Sequence, residues 1–392
     1  MPTDSRSFGP AIRRASQAAR NAMQMLEAAT AAALKAVYES AADQVRQRIE
    51  QAAAVGGTGQ VELSALRELL AAIEAVLDAA AQRRSELVMA AIQRAAELGV
   101  QPFTAAGMAA TGRLPAGSAV PGAPGGALAP ILDPADALAT AESAVAFVRS
   151  FRPVEDGLAL SDRLWRVDAG AREAMRREVE AAVVRGHGAD RAAAELLARG
   201  QAVPPSTREA QRANDGAPLA RSAAELLRDP TRGPLANVLR VMRTEINRAH
   251  GEAYMVGAER SPGFVGFRFL LSPRHPRPDI CDLLARQNLH GLGPGVYPSR
   301  QALPWPAHPN TLSFVVAVFE EEIKPEDAAG RETSLQALQR LAPEIRAGVL
   351  GPTKAGYFDQ GLLSAGSIRS RVGAVQSRLQ RQGRLPEAAS AG

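Results

Sequence analysis

Residues 272 to 311 collect the side chains of this chain best suited to hold a metal ion or move a proton. His275, Asp279, Cys281, Asp282, His290 and His308 all lie there, including three of the five histidines and the only cysteine. Thiolate, imidazole and carboxylate are the ligands of tetrahedral zinc, so His275, Cys281 and His308 are the candidate metal ligands. Spacing alone carries this reading only a short way, because no CxxC pair exists and the intervals match no standard finger. The same residues support a second reading, in which Asp279 and Asp282 cap a short helix over Ile280–Gln287 and Cys281 is a small buried apolar residue. A third follows from the order His275, Asn288, His308: a metal held there could polarise phosphate and activate water, as in a small metal-dependent nuclease. No neighbouring group that would fix a histidine tautomer is evident for it. The sequence therefore assigns no metal, no cofactor and no catalytic residue.

Two strand-like runs must position this stretch, Phe264–Leu271 and Leu312–Phe319, both rich in β-branched and aromatic residues. Between them stand Pro273, Pro276, Pro278, Gly291, Gly293, Pro294, Gly295, Pro298, Pro304, Pro306 and Pro309. Proline fixes φ and lacks a donor, so the insert cannot be one regular element. Tyr297, Trp305, Leu283 and Leu284 within it argue for an ordered loop joining the strands of a small sheet. The helix opened by Pro234 and ending near Arg260 places Leu235, Val238, Leu239, Met242, Ile246, Ala249 and Ala253 on one face, which should pack on that sheet. His250 on this helix reads as a packing residue.

The run SPRHPRPDICDLLA, then GLGPGVYP, then PWPAHPN resembles the Mu F-like minor head proteins of tailed bacteriophages. The upstream LSDRLWRVDAGAREAMRREVEAAVVRGHGADRAAAELL and RTEINRAHGEAYMVGAERSPG look like the helical lead-in of that family. The likeness covers roughly residues 155 to 325. It implies a structural minor capsid protein without enzymatic activity, acting in head morphogenesis. It also implies portal protein and capsid components as partners, a place in the capsid interior near the portal against packaged double-stranded DNA, and passage through the host cytoplasm during assembly. The chain departs from the family after HPN. Relatives often carry cysteines there, whereas Thr311 and Ser313 stand here, so no metal or disulfide role of those cysteines carries over.

The rest of the 392 residues reads as mainly helical. Hydrophobic residues make up 46% but aromatics only 4%, so the apolar content is largely alanine and leucine, the best helix formers. The expected fold is mainly α with a small antiparallel β element. Residues 1–104 form a long helical hairpin arm, with helices over 10–54 and about 61–98, each some 60 Å long at about 1.5 Å per residue. Gly99 closes the second helix. The arm's narrow alanine stripe buries little area, which fits either an arm that needs a partner or a self-sufficient helical domain. Residues 105–132 are a Gly/Pro/Ala linker, 133–325 the Mu F-like α+β body, and 326–392 a C-terminal helical region with a basic tail. Asp133–Pro134 and Ser161 read as helix starts, and Ser222 with Glu225 as a capping box. GPTK at 351–354 is a turn and lacks the order of a phosphate loop.

Net charge is +5, and lysine occurs only at Lys35, Lys324 and Lys354. Arg369, Arg371, Arg378, Arg381 and Arg384 are unopposed by any acid between Gln360 and Pro386, and Ile368, Val372, Val375 and Leu379 form a stripe beside them. An amphipathic basic helix over 367–382 is expected, with those arginines meeting DNA phosphates or an acidic partner. The opening residues lack the apolar core of a signal peptide, and no run approaches a membrane span, so no membrane partner is expected.

Overall fold

The computed structural model describes residues 8–55, 57–109, 131–153, 157–273, 275–308, 311 and 313–385. Most of the expected linker (110–130), the Pro309–Asn310 part of the HPN run and the last residues of the tail lie outside them. Among the described residues the chain is mostly helical, as the alanine- and leucine-rich composition leads one to expect, with one small antiparallel sheet. The helices are α1 (Phe8–Val55), α2 (Leu66–Val100), α3 (Ala105–Ala109), α4 (Pro134–Ser150), α5 (Leu160–Ala198), α6 (Pro205–Gln211), α7 (Gly216–Arg228) and α8 (Gly233–Glu259). After the first strand, β1 (Phe264–Leu270), come α9 (Ile280–Arg286), β2 (Val296–Tyr297) and β3 (Phe314–Phe319). The chain then closes with α10 (Pro325–Ala329), α11 (Ser334–Arg340), α12 (Pro343–Leu350), α13 (Pro352–Asp359) and α14 (Val372–Arg381).

These elements form two compact units that are discontinuous in sequence and cut across the composition boundaries. One comprises Met1–Asn21, Ala96–Ala144 and His250–Gly392; the other comprises Ala22–Ala95 and Val145–Ala249.

The second unit is helical. The alanine-rich stripes of α1 and α2 pack, through Ala41, Val45, Ile49, Leu69, Ile73 and Leu77, with Met175, Val179 and Val183 of α5 and Leu219, Ala223 and Leu227 of α7. The partner that the hairpin stripe needs is thus supplied in cis. Two buried ion-pair groups lie inside this unit. The Arg84 guanidinium is 2% exposed and grips both Asp168 oxygens at 2.6 and 3.1 Å. Glu245 accepts from Arg163 at 2.8 Å and from Arg248 at 2.9 Å. The helix starts differ from expectation in two places. Ser161 lies inside α5, whose start is held by the Asp162 carboxylate accepting from Ala159 N at 2.9 Å. Ser222 lies inside α7 and donates to Glu178, so it forms no capping box.

The first unit carries the sheet, in the order β2–β1–β3 with both pairings antiparallel. Phe267 pairs with Tyr297 on one side and Ala317 on the other. Gly266 sits where β2 approaches so closely that a Cβ would meet Tyr297 O at 2.5 Å. The C-terminal end of α8 packs on this sheet as expected, with Ala317 N donating to Tyr254 Oη at 2.9 Å. Gly99 does not end α2. The helix passes His250 so tightly that a Cβ at 99 would meet His250 O at 2.4 Å.

The expected linker begins and ends in structure: α3 covers 105–109, and Leu132 N bonds Phe103 O at 3.0 Å. The α4 start is as expected, with Asp133 Oδ1 accepting from Asp136 N at 2.8 Å. The helix expected over 331–347 is two, because Pro343 cannot supply a donor to a continuing helix. The tail stripe packs inward, with Ile368, Val375 and Leu379 in one cluster with Leu283 of α9, Leu338 of α11 and Leu350 of α12. Val372 is the exception, half exposed at the start of α14.

Buried His250 yields a pH prediction. Burial, with Arg20 adding to it, pushes its imidazole down from 6.5 to about 4. The ring is neutral in the folded chain, while the unfolded chain binds a proton below about pH 6.5. Stability is therefore full above that pH and falls as pH drops toward 4, by on the order of 3 kcal/mol. Thermal midpoints measured across this window should fall much less in His250→Phe than in the wild type, and parallel curves would refute the assignment.

Candidate functional site

β1 delivers the chain into the crossover that leads to β3. His275 N bonds Ser272 O at 2.9 Å, turning the chain toward α9. Asp279, extended at φ −150°, is the residue before that helix. Its Oδ1 accepts from Cys281 N at 2.7 Å, and Asp282 Oδ2 accepts from Asp279 N at 3.0 Å. This reciprocal pair satisfies donors that a helix start leaves open, so the capping expected of Asp279 and Asp282 is present. α9 ends at Arg286, one residue short of the expected bound.

The candidate ligands converge on the same two carboxylates. His308 Nε2 lies 3.1 Å from Asp279 Oδ2 and 3.3 Å from Cys281 Sγ. His275 Nε2 lies 3.0 Å from Asp282 Oδ2 and 3.6 Å from Asp279 Oδ1. Asp279, Cys281 and His308 form one compact set of possible ligand atoms, and His275, Asp279 and Asp282 a second sharing Asp279. Thr311 Oγ1 approaches Cys281 Sγ at 3.6 Å, and Arg286 pairs with Asp282 Oδ1 at 3.3 Å. Cys281 is a fully buried free thiol, whereas the Asp279 and His308 side chains are each about a third exposed. Burial acts to raise the Asp279 carboxyl, but hydrogen bonds to His308 and Cys281 outweigh it and hold the group at about 2. It is a carboxylate throughout the neutral range.

The remainder of the crossover is spent on holding itself. Gln287 Nε2 donates to Tyr297 Oη at 2.7 Å, and that hydroxyl donates to Leu284 O at 3.0 Å. Burial pushes the Tyr297 phenol up to about 12, so it keeps its proton. Gly295 N bonds Gln287 O and Phe269 N bonds Gly295 O, both at 2.8 Å, fastening α9 and β2 to β1. Asn288 is committed at both ends of its amide, donating to Asp327 O at 2.7 Å and accepting from Gly293 N at 3.2 Å. It serves the loop. His290 stacks edge-on against Tyr297, and Trp305 edge-on against Phe269. Sequence reasoning missed the Gln287–Tyr297–Leu284 lock and β2 itself, because a two-residue strand has no periodicity to read.

No protein family, no curated protein and no solved structure matches this chain.

Four tail arginines bond neutral oxygens of their own chain. Arg369 donates to Ala307 O at 3.0 Å, Arg378 to Ser367 Oγ, Arg381 to Ser377 O at 3.4 Å and Arg384 to Gly361 O at 3.2 Å. Arg371 precedes α14 as its N-terminal flanking residue and is exposed.

The capping role gives a direct expectation. Asp279→Ala should lower stability by about 1 kcal/mol, the usual cost of losing a side-chain cap, while Asp279→Asn, which keeps a capping oxygen, should cost less. Chemical denaturation measures both. Equal losses would show that charge, not capping, is what Asp279 contributes.

Proposed function

We propose that this chain is a structural minor head protein of a tailed phage or prophage-like particle, held at the portal vertex beside packaged DNA. The observation that carries the reading is where the quoted runs fall. SPRHPRPDICDLLA, apart from Arg274, is the turn and α9, GLGPGVYP is the β2 segment, and PWPAH is the Trp305 segment before β3. The pieces that carry the resemblance are thus consecutive parts of one hydrogen-bonded crossover on one sheet. A sequence pattern that coincides with a packing device supports kinship in architecture, and Asn288, Gln287 and Tyr297 serve that packing.

The rest of the chain suits an assembly role. Long helices offer extended faces to portal and capsid partners. The arginines at 369, 371, 381 and 384 are exposed, and guanidinium groups on a surface suit DNA phosphates or an acidic partner surface. The nuclease reading is set aside because Asn288 is occupied by the loop.

The test is incorporation into particles. A tagged full-length chain is expressed during particle production, particles are purified on a density gradient, and their proteins are quantified by mass spectrometry. The chain is expected to co-sediment with portal protein at a few copies per head. Its absence from intact heads would overturn the proposal.

A further inference from the structure

We infer that Cys281 Sγ, His308 Nε2 and Asp279 Oδ2 form a binding site for one zinc ion. The inference does not rest on the head-protein reading, because it concerns the isolated chain.

The first argument is geometric. Tetrahedral zinc with bonds of about 2.3 Å to sulfur and 2.0–2.2 Å to nitrogen and oxygen sets its ligand atoms roughly 3.4–3.6 Å apart. The His308 nitrogen lies 3.3 Å from the sulfur and 3.1 Å from the carboxylate oxygen. An outward shift of about 0.3 Å per edge makes these the edges of that tetrahedron. Two ligands come from the start of α9 and the third from 27 residues further on, so local chain geometry does not force the convergence.

The second argument is hydrogen-bond accounting. Nε2 carries either one proton or one lone pair. As a donor, it faces two acceptors at once, a sulfur and a carboxylate oxygen. An ion at that point would bond all three atoms together. Binding places the imidazole proton on Nδ1 so that Nε2 presents its lone pair, breaks the S–H bond, releases the thiol proton to solvent and forms the zinc–thiolate bond. The thiolate and carboxylate then balance the two charges of the ion.

The third argument is the surroundings. The sulfur is buried, while Asp279 and His308 are each about a third open to solvent, which gives an ion a way in and a water the fourth position. His275 bonds Asp282 Oδ2 at 3.0 Å, and the same oxygen accepts from Asp279 N, so His275 acts on Asp279 through that cap. The second set, His275, Asp279 and Asp282, is the weaker choice, because Asp282 Oδ2 already accepts from Asp279 N and its other oxygen meets Arg286. The thiolate and imidazole select zinc over magnesium, which prefers an all-oxygen shell.

Cobalt(II) is the probe, since it occupies zinc sites and a cobalt–thiolate bond absorbs light. Titration of the reduced, full-length chain with CoCl2 should produce a charge-transfer band that saturates at one equivalent and is abolished by ZnCl2 but not by MgCl2. Cys281→Ser should lose the band, and His308→Ala should lose saturable binding. His275→Ala should weaken it by roughly ten- to a hundredfold, as loss of an orienting partner does. His290→Ala, in the same crossover but outside the set, should bind as the wild type does. Lack of the band in the wild-type chain, its survival in Cys281→Ser, or equal displacement by magnesium would each overturn the site. The wild-type titration decides even if a variant fails to fold.

Discussion

A seven-residue helix has no stability of its own in water, because nucleation costs more than so few hydrogen bonds return. α9 exists because its start is closed by Asp279 and Asp282 and because Cys281, Leu283 and Leu284 are buried beneath it. The rest of the crossover is referred to this helix. Its first turn meets His275 and His308, its last turn binds Gly295 and, through Gln287 and Leu284, Tyr297. Its apolar side joins α11, α12 and α14 through Leu283. The aspartates that could serve as ligands are therefore the same ones that make the helix possible. Capping and ion binding share Asp279 through different oxygens, Oδ1 for the backbone and Oδ2 for His308.

The helical unit solves a different problem with the same economy of residue types. Alanine stripes bury little area per residue but let backbones come close, so stability must come from several helices meeting at once. α1, α2, α5 and α7 do so over a cluster rich in Ala, Val, Ile and Leu. The buried Arg84–Asp168 and Arg163–Glu245–Arg248 groups add specificity more than net stability. A well-packed apolar replacement is often as stable as a buried ion pair, whereas removal of one partner is costly.

Residue order carried the long elements and the chemistry, but not the places where distant segments meet. The strands bracketing the crossover, α9 to within one residue, the Asp133–Pro134 start of α4 and the packing of α8 on the sheet all follow from local pattern. β2 was invisible because two residues hold no alternation. Gly99 read as a helix end because a glycine's usual local meaning is termination; here tertiary contact with His250 demands it. Ser222 matched a capping box by spacing, yet the helix had already begun at Gly216. The grouping of His308 with Cys281 and Asp279 could not be read from intervals, since the path between them is set by proline turns and by β2. The stripe on α1 and α2 announced a missing partner without naming α5 and α7.

Native-state hydrogen exchange on the full-length chain addresses the central claim most directly, that the proline-rich crossover is a rigid, packed device. The amides of Cys281, Gln287, Gly293 and Gly295 all donate to protein acceptors within it. They should exchange as slowly as those of Phe267 and Phe269 in β1. Exchange at the rate of an unstructured peptide, with the β1 amides still protected, would contradict the account.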